Sequence, residues 1–406
     1  MRILLVNHYA GSPELGMEFR PYYFAKLWQK QGHEVLIVGA TYSHLRKKQP
    51  HQGGQNIDGV NYFWIKTNAY HGNGIKRLWS MILFIFKLLF CHKKRIKAFN
   101  PNIVIASSTY TLDNFVCHKL SKICHAKYIY EIHDLWPLSP IELGGMSKYH
   151  PFIILMQWAE NYAYKHCDAV VSMLPNAKIH CVEHGLDENK FFYVPNGIVE
   201  EDWFSSKALP EMHQNLIQKL KSEEKFLVGF AGAHGIANSL KDIIKAISEL
   251  KNENIALILI GTGPEKENLM AYSKQLDCDN VFFLDPIDKL AIPNLLKEFD
   301  ALYIGLQRQS LFRFGISPNK IFDYMMASKP IIQAIDAGNN LVEEAQCGFY
   351  AEPENVEDIK NAILKLKNLS KEEREKLGNN GKLFVLKEHS YTVLSERFIN
   401  IMQNLK

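Results

Sequence analysis

The stretch Phe314–Pro330 reads FGISPNKIFDYMMASKP and falls into two halves. Gly315, Ser317, Pro318 and Asn319 resist continuing a helix or a strand, so the first half is a loop. The second half predicts a helix with Ile321, Tyr324, Met325 and Ser328 on one side. Pro318 suits the helix start, where its missing N–H costs nothing. A loop that opens a helix aims free backbone N–H groups and the positive end of the helix dipole at whatever lies before it. Such an end attracts anions, and Lys320 adds a cation at the same spot. Asp323 lies one turn into the helix, where a carboxylate can accept bonds from sugar hydroxyls. Phosphate site and hydroxyl acceptor together describe a nucleotide-sugar site; an ordinary capped helix is the plainer alternative.

Outward from this stretch the chain alternates short apolar runs with helical patterns. Strands are expected at Ile3–Asn7, Glu34–Val38, Val60–Ile65, Ile103–Ala106, Tyr128–Ile132, Ala169–Met173 and Phe192–Val194. The second half repeats the plan at Phe226–Phe230, Ala256–Ile260, Val281–Leu284, Ala301–Ile304, Ile331–Ala334 and Phe349–Tyr350. Arg20–Gln31 predicts a helix closed by Gly32. Strand, helix, strand repeated is the mark of a parallel sheet covered on both faces. A chain of 406 residues exceeds one hydrophobic core. The expectation is an α/β protein of two Rossmann-like, doubly wound domains, residues 1–198 and 199–387. The junction lies near Pro195–Trp203, which opens on the Pro195-Asn196-Gly197 turn, and a last helix, about 388–406, packs back on the first domain.

The hydrophobic fraction of 47% and charged fraction of 22% are those of a globular protein. Seven scattered cysteines form no close pair, which fits free thiols in a reducing cytoplasm. Met1-Arg2 runs straight into the apolar ILLV, unlike a signal peptide. Residues 1–200 carry 22 Lys+Arg against 14 Asp+Glu; the remainder carries 25 against 29. No acidic residue falls between Asp58 and Asp113, while Lys66, Lys76, Arg77, Lys87, Lys93, Lys94, Arg95 and Lys97 do. A basic half calls for an anionic partner. The run Leu78–Cys91, LWSMILFIFKLLFC, is too short for a span of about 20 residues, and Lys87 interrupts it. Flanked by Arg77 on one side and Lys93, Lys94 and Arg95 on the other, it reads as a helix lying on an anionic membrane; a buried connecting helix is the alternative. Nothing resembles a nucleic-acid-binding module.

Ligands of doubly wound sheets gather at the carboxyl ends of the strands. Three loops stand there. NHYAGSPELGME, Asn7–Glu18, has Gly11 and Gly16, which permit close approach to a ligand. EIHDLWP places His133 and Asp134 at a strand end, suited to sugar hydroxyls or proton transfer, or simply to capping. GAHGIANS opens the second half with Gly232 among small residues that admit a phosphate. Gly261-Thr262-Gly263-Pro264-Glu265 reads as a structural turn. No metal is expected, on the reading that the chain has no His-x-x-x-His, no paired Asp-x-Asp and no cysteine cluster.

In this order and spacing the motifs resemble the GT-B glycosyltransferases, specifically the retaining enzymes of family 4. The resemblance rests on the first glycine loop, Gly32-His33-Glu34-Val35, His133-Asp134, Pro195-Asn196-Gly197, Gly261-Thr262-Gly263-Pro264 and the Lys320–Pro330 helix. EIHDLWPLSP, ELGGMSKYHPF and FGISPNKIFDYM look most similar to bacterial O-antigen and capsule transferases, the L-fucosamine (N-acetyl-fucosamine) transferases among them.

The resemblance implies two domains facing a central cleft and puts His133 near the reacting carbon of the donor sugar. It implies backbone N–H groups around Ser317, Asn319 and Lys320 on the diphosphate, Asp323 (shortened from the family's Glu) on the ribose, and Pro286-Ile287 at the base. Three positions depart from the pattern: Gly315 stands where a Glu is usual, and Ala233 and Asn238 where an Arg and a Lys are usual. Lys320 is the expected substitute cation, with Arg308 or Arg313 as the second. The implied activity is retaining transfer from a UDP-sugar, such as UDP-N-acetyl-fucosamine, to a lipid-diphosphate-linked sugar. It needs no metal or other cofactor, and the enzyme would lie on the inner face of the cell membrane. A UDP-sugar 2-epimerase of the same architecture and a non-catalytic sugar-binding subunit are the alternatives.

Overall fold

The computed structural model describes residues 1–72, 74–204 and 207–405. The chain forms two compact units: Met1–Asn196 with Phe314–Ser317 and Tyr391–Lys406, and Gly197–Arg313 with Pro318–Ser390.

The first unit holds eight strands: β1 (Arg2–Val6), β2 (Glu34–Ala40), β3 (Gly53–Ile57), β4 (Val60–Ile65), β5 (Ile103–Ala106), β6 (Lys127–Ile132), β7 (Ala169–Ser172) and β8 (Phe191–Tyr193). Their order is β3-β4-β2-β1-β5-β6-β7-β8, parallel throughout except where β3 pairs antiparallel with β4. β1, β5 and β7 are almost wholly apolar, as strands covered on both faces must be. β3, GGQNI, has one apolar residue and sits at the sheet edge, so hydrophobic patterning does not reveal it. The helix Tyr391–Gln403 belongs to this unit, where Phe398 meets Phe24 at 5.4 Å and Trp28 at 5.2 Å in edge-on contacts.

Six parallel strands form the second unit: β9 (Phe226–Ala231), β10 (Ile255–Ile260), β11 (Val281–Leu284), β12 (Ala301–Gly305), β13 (Ile331–Ala334) and β14 (Gly348–Tyr350). The order β11-β10-β9-β12-β13-β14 is the Rossmann order, with its reversal at β9. Ile243, Ile244 and Ile247 from one helix and Ile359, Ile363 and Leu366 from another close its core.

Two local expectations change. The helix of the opening stretch runs Asn319–Met326 and stops before Ser328, whose φ of 57° is left-handed. Ile321, Tyr324 and Met325 are buried on it as expected. Phe314–Ser317 sides with the first unit rather than the second, tied there by Asn196, whose N donates to Ser317 Oγ at 2.9 Å.

Candidate active site

In the first unit the carboxyl ends of β1, β5 and β6 bring together Asn7, Ser107, Glu131 and His133. Asn7 Nδ2 donates to the Ser107 carbonyl at 2.7 Å, which locks the β1 and β5 loops together. His133 Nε2 lies 2.9 Å from Ser107 Oγ and 3.3 Å from Glu131 Oε2. Ser107 spends its own proton on Glu131 Oε2, 2.6 Å away. His133 Nε2 therefore donates to Ser107, and in the neutral ring Nδ1 keeps the lone pair. Asp134 is held by Ser139 Oγ at 2.5 Å; burial raises its carboxyl above the usual range despite that bond.

Glu131 owes its charge to a residue that sequence motifs do not reveal. Arg20, 1% exposed, reaches Glu131 Oε1 with Nε at 2.9 Å and the carbonyls of Val194 and Pro195 at 2.7 and 2.6 Å. Burial opposes ionisation of Glu131, but Arg20, His133 and Ser107 outweigh it and hold the carboxyl down to about 2. Gly16 is spent on packing: a Cβ there would come within 2.9 Å of the Lys47 nitrogen, and its φ is +109°.

The second unit gathers Gly232, Asn238 and Lys320 at the end of β9. Lys320 Nζ lies 3.8 Å over the Phe230 ring and 3.3 Å from Asn238 Oδ1. A Cβ at Gly232 would come within 2.7 Å of that amine, so the glycine is the room Lys320 occupies. No carboxylate pairs with Lys320 among the described residues, and burial pushes its amine down to about 7. Beside it His234 is buried with neither ring nitrogen hydrogen-bonded; burial, then Lys266 and Lys320, lower it to about 4. Gly261 and Gly263 hold the turn against this loop, since a Cβ at Gly261 would lie 1.9 Å from the Gly232 oxygen.

Asp323 is half-buried one turn into its helix. Burial raises it to about 6, with Lys289, Asp202 and Trp203 as the polar neighbours. Asn319 opens the same helix, exposed. Pro286 and Ile287 follow β11, exposed and half-exposed. Arg308 is drawn off to Glu352 and Asp336 at the exposed end of β12, and Arg313 bonds its own loop at the Ser310 carbonyl. Both expected second cations are thus engaged elsewhere.

The apolar run Leu78–Cys91 lies in the helix Ile75–Phe86 and the turn of π-helix that follows it. Its face is divided. Met81, Phe84 and Leu88 are buried, while Ile75, Trp79, Ile82, Phe86 and Phe90 point outward. Lys93, Lys94 and Arg95 are exposed just beyond. Arg77 turns inward, its guanidinium 5.4 Å from the Tyr9 ring and 5.9 Å from the Trp136 ring. No helix among the described residues is long and apolar enough to cross a membrane.

Residues 16–202 match the model of Glycosyltransferase Family 4, and residues 212–384 that of Glycosyl transferases group 1. The chain is a GT-B glycosyltransferase. It is 20% identical over 358 residues to a Pseudomonas aeruginosa protein named probable glycosyltransferase WbjE, 87% of this chain and 86% of that one. HepE of Anabaena, solved with UDP and glucose, shares the fold at a TM-score of 0.68 and 15% identity, both chains covered in full. Sucrose-phosphate synthase of Thermosynechococcus elongatus shares it at a TM-score of 0.74 and 13% identity, over 100% of this chain and 98% of that one. In this glycosyltransferase the His133 cluster and the Lys320 loop stand at the same topological place in their own sheets, the carboxyl edge beside the strand-order reversal.

Proposed function

We propose that this glycosyltransferase moves a sugar, with retention, from a UDP-sugar such as UDP-N-acetyl-fucosamine to a lipid-diphosphate-linked sugar in bacterial surface-polysaccharide synthesis. The observation that carries the reading is Lys320: a half-buried amine at a helix start, with no carboxylate partner among the described residues, suits a diphosphate. The bond from C1 to the diphosphate oxygen breaks while the acceptor oxygen bonds C1 on the same face. The departing diphosphate takes the acceptor proton, and the protein contributes positioning and charge stabilisation. His133 stands by the donor sugar, Asp323 by the ribose and Pro286-Ile287 by the base. No step calls for a metal.

The outward apolar face of Ile75, Trp79, Ile82, Phe86 and Phe90, with Lys93, Lys94 and Arg95 beyond it, favours an anionic bilayer as the place where the lipid acceptor is met. The test is incubation with a panel of UDP-sugars and a lipid-diphosphate N-acetylhexosamine in anionic vesicles. UDP release dependent on acceptor, with the anomeric configuration kept in the product, is expected. Conversion of the UDP-sugar without acceptor would favour the epimerase instead. In the same vesicles, replacing Lys93, Lys94 and Arg95 by Glu should release the protein, each lost cation costing about 1 kcal/mol. Unchanged co-sedimentation at low salt would reject membrane contact.

A further inference from the structure

Contrary to the expectation that the chain has no such motif, His180 and His184 form a His-x-x-x-His pair. They lie at the end of the Ala177–Glu183 helix, where a spacing of four puts both imidazoles on one side. The rings stand 4.1 Å apart. Glu160, from the neighbouring helix Pro151–His166, faces them, with Oε1 3.0 Å from His180 Nε2. One ligand atom from each of the three falls within 4.8 Å of the others.

We infer that Glu160, His180 and His184 form a zinc site in the first unit, apart from the residues assigned to sugar transfer. Two imidazoles and one carboxylate are ligands zinc accepts. Tetrahedral ligands about 2.0–2.1 Å from zinc lie roughly 3.3 Å from each other. The Glu160–His180 pair needs to open by only a few tenths of an ångström, and the imidazole changes tautomer as the ion replaces its Nε2 proton. His184 closes the rest of the gap, and it is half-exposed, so an ion has a way in.

The surroundings are those of a ligand set. His184 Nδ1 donates to the His180 carbonyl at 2.9 Å, which leaves Nε2 with its lone pair. Glu160 is fully buried and oriented by Tyr164 OH at 2.9 Å on Oε1 and Gln157 Nε2 at 2.6 Å on Oε2. A buried carboxylate held by its neighbours is a hard anion already desolvated, the part of ion binding that is usually costly. Water supplies the fourth position on the exposed side of His184. The site also touches the opening stretch: His180 packs edge-on to Phe314 at 5.7 Å, and Asn176 N donates to the Phe314 carbonyl at 3.0 Å. A bound ion would stiffen Phe314–Ser317 through these contacts.

Untagged protein, stripped with chelator, should be titrated with zinc by calorimetry and with Co(II) by visible absorption. One ion per chain, a zinc-dependent rise in melting temperature and a tetrahedral Co(II) spectrum are expected. His184→Ala should leave the metal-free melting temperature unchanged and weaken zinc at least ~100-fold, the upper end of what lost supporting bonds alone cost. Glu160→Gln, which keeps the packing, should abolish the Co(II) spectrum. No saturable zinc uptake by the wild type, or uptake that survives both substitutions, overturns the site and leaves Glu160–His180 a buried structural pair.

Discussion

Around His133 the charges are matched, with Arg20 and Glu131 2.9 Å apart and both 1% exposed. Around Lys320 they are not: the amine rests on Phe230 and the amide oxygen of Asn238, neither of which carries a charge. The first arrangement is complete without a ligand and fixes an imidazole in one orientation. The second holds an amine that burial pushes down to about 7, with no carboxylate beside it among the described residues. An enzyme that relies on positioning in one unit and on charge stabilisation in the other would look like this, and substitutions on the two sides should therefore fail in different ways.

The largest effect is expected from Arg20→Met, and it is one of stability. Glu131 would be left as a buried charge without its cation, a loss of about 3–5 kcal/mol by urea denaturation. Adding Glu131→Gln should recover most of it. The pH dependence has a definite sign. Glu131 is held near 2, below the ordinary value of about 4.3, so its contribution is full above that value and lost as pH falls toward 2. In Arg20→Met this acid limb should flatten. A loss under about 1 kcal/mol would break the picture of a matched pair.

Lys320→Met should act oppositely. Removing a half-buried uncompensated amine should not lower the melting temperature of the free enzyme. The rate constant should fall by about 2–4 kcal/mol in transition-state terms, because the diphosphate gains charge as the sugar leaves. With the folded amine down at about 7, the unfolded chain binds the extra proton between about 7 and 10.4. Stability in wild type should thus rise with pH across that window, a slope absent from the variant. A structure with nucleotide diphosphate in which Arg308 or Arg313 holds the phosphates, and Lys320 points away, would sink the assignment.

His133→Ala comes next, at about 10²-fold in turnover with little change in melting temperature, since Glu131 keeps Arg20 and Ser107. Turnover within about threefold of wild type would remove His133 from the chemistry.

Much of this layout is readable from sequence where its cause is local. The strands announce themselves through continuous apolar runs, and His133 is placed because it directly follows one of them. Lys320 is legible because Pro318 and Asn319 mark a helix start. What escapes is long-range. Arg20 meets Glu131 from 111 residues away and the Val194 carbonyl from 174, and no motif spans such distances. β3 escapes for another reason: an edge strand of GGQNI buries too little to show a pattern. Ser317 reads as part of the second half by position, yet its bond to Asn196 ties it to the first. The pairing of Arg308 with Glu352 and Asp336 likewise depends on which loops β12, β13 and β14 bring to one edge.

The smallest expected effect, Asp323→Asn, separates binding from rate within the second unit. A carboxylate on a ribose hydroxyl interacts equally in ground and transition states, so its loss should weaken the donor without slowing the bound complex. About 1.5 kcal/mol, or roughly tenfold in donor Kd, is the expected size for a hydrogen bond to a charged group. Burial raises Asp323 to about 6, so in wild type donor affinity should decline as pH drops through 6, when the carboxyl takes up its proton. The amide that replaces it in the variant cannot titrate, and that limb should vanish from the variant's binding curve. The proton also signs the stability: with a folded value above the unfolded one, stability from this group is present below about 4 and lost as pH rises through 6. Titrating UDP into both proteins at pH 5 and pH 8 reads the two effects together. If Asp323→Asn lowers the saturated rate as much as Lys320→Met does, Asp323 acts on the departing charge, and the division between a binding carboxylate and a rate-determining amine is lost.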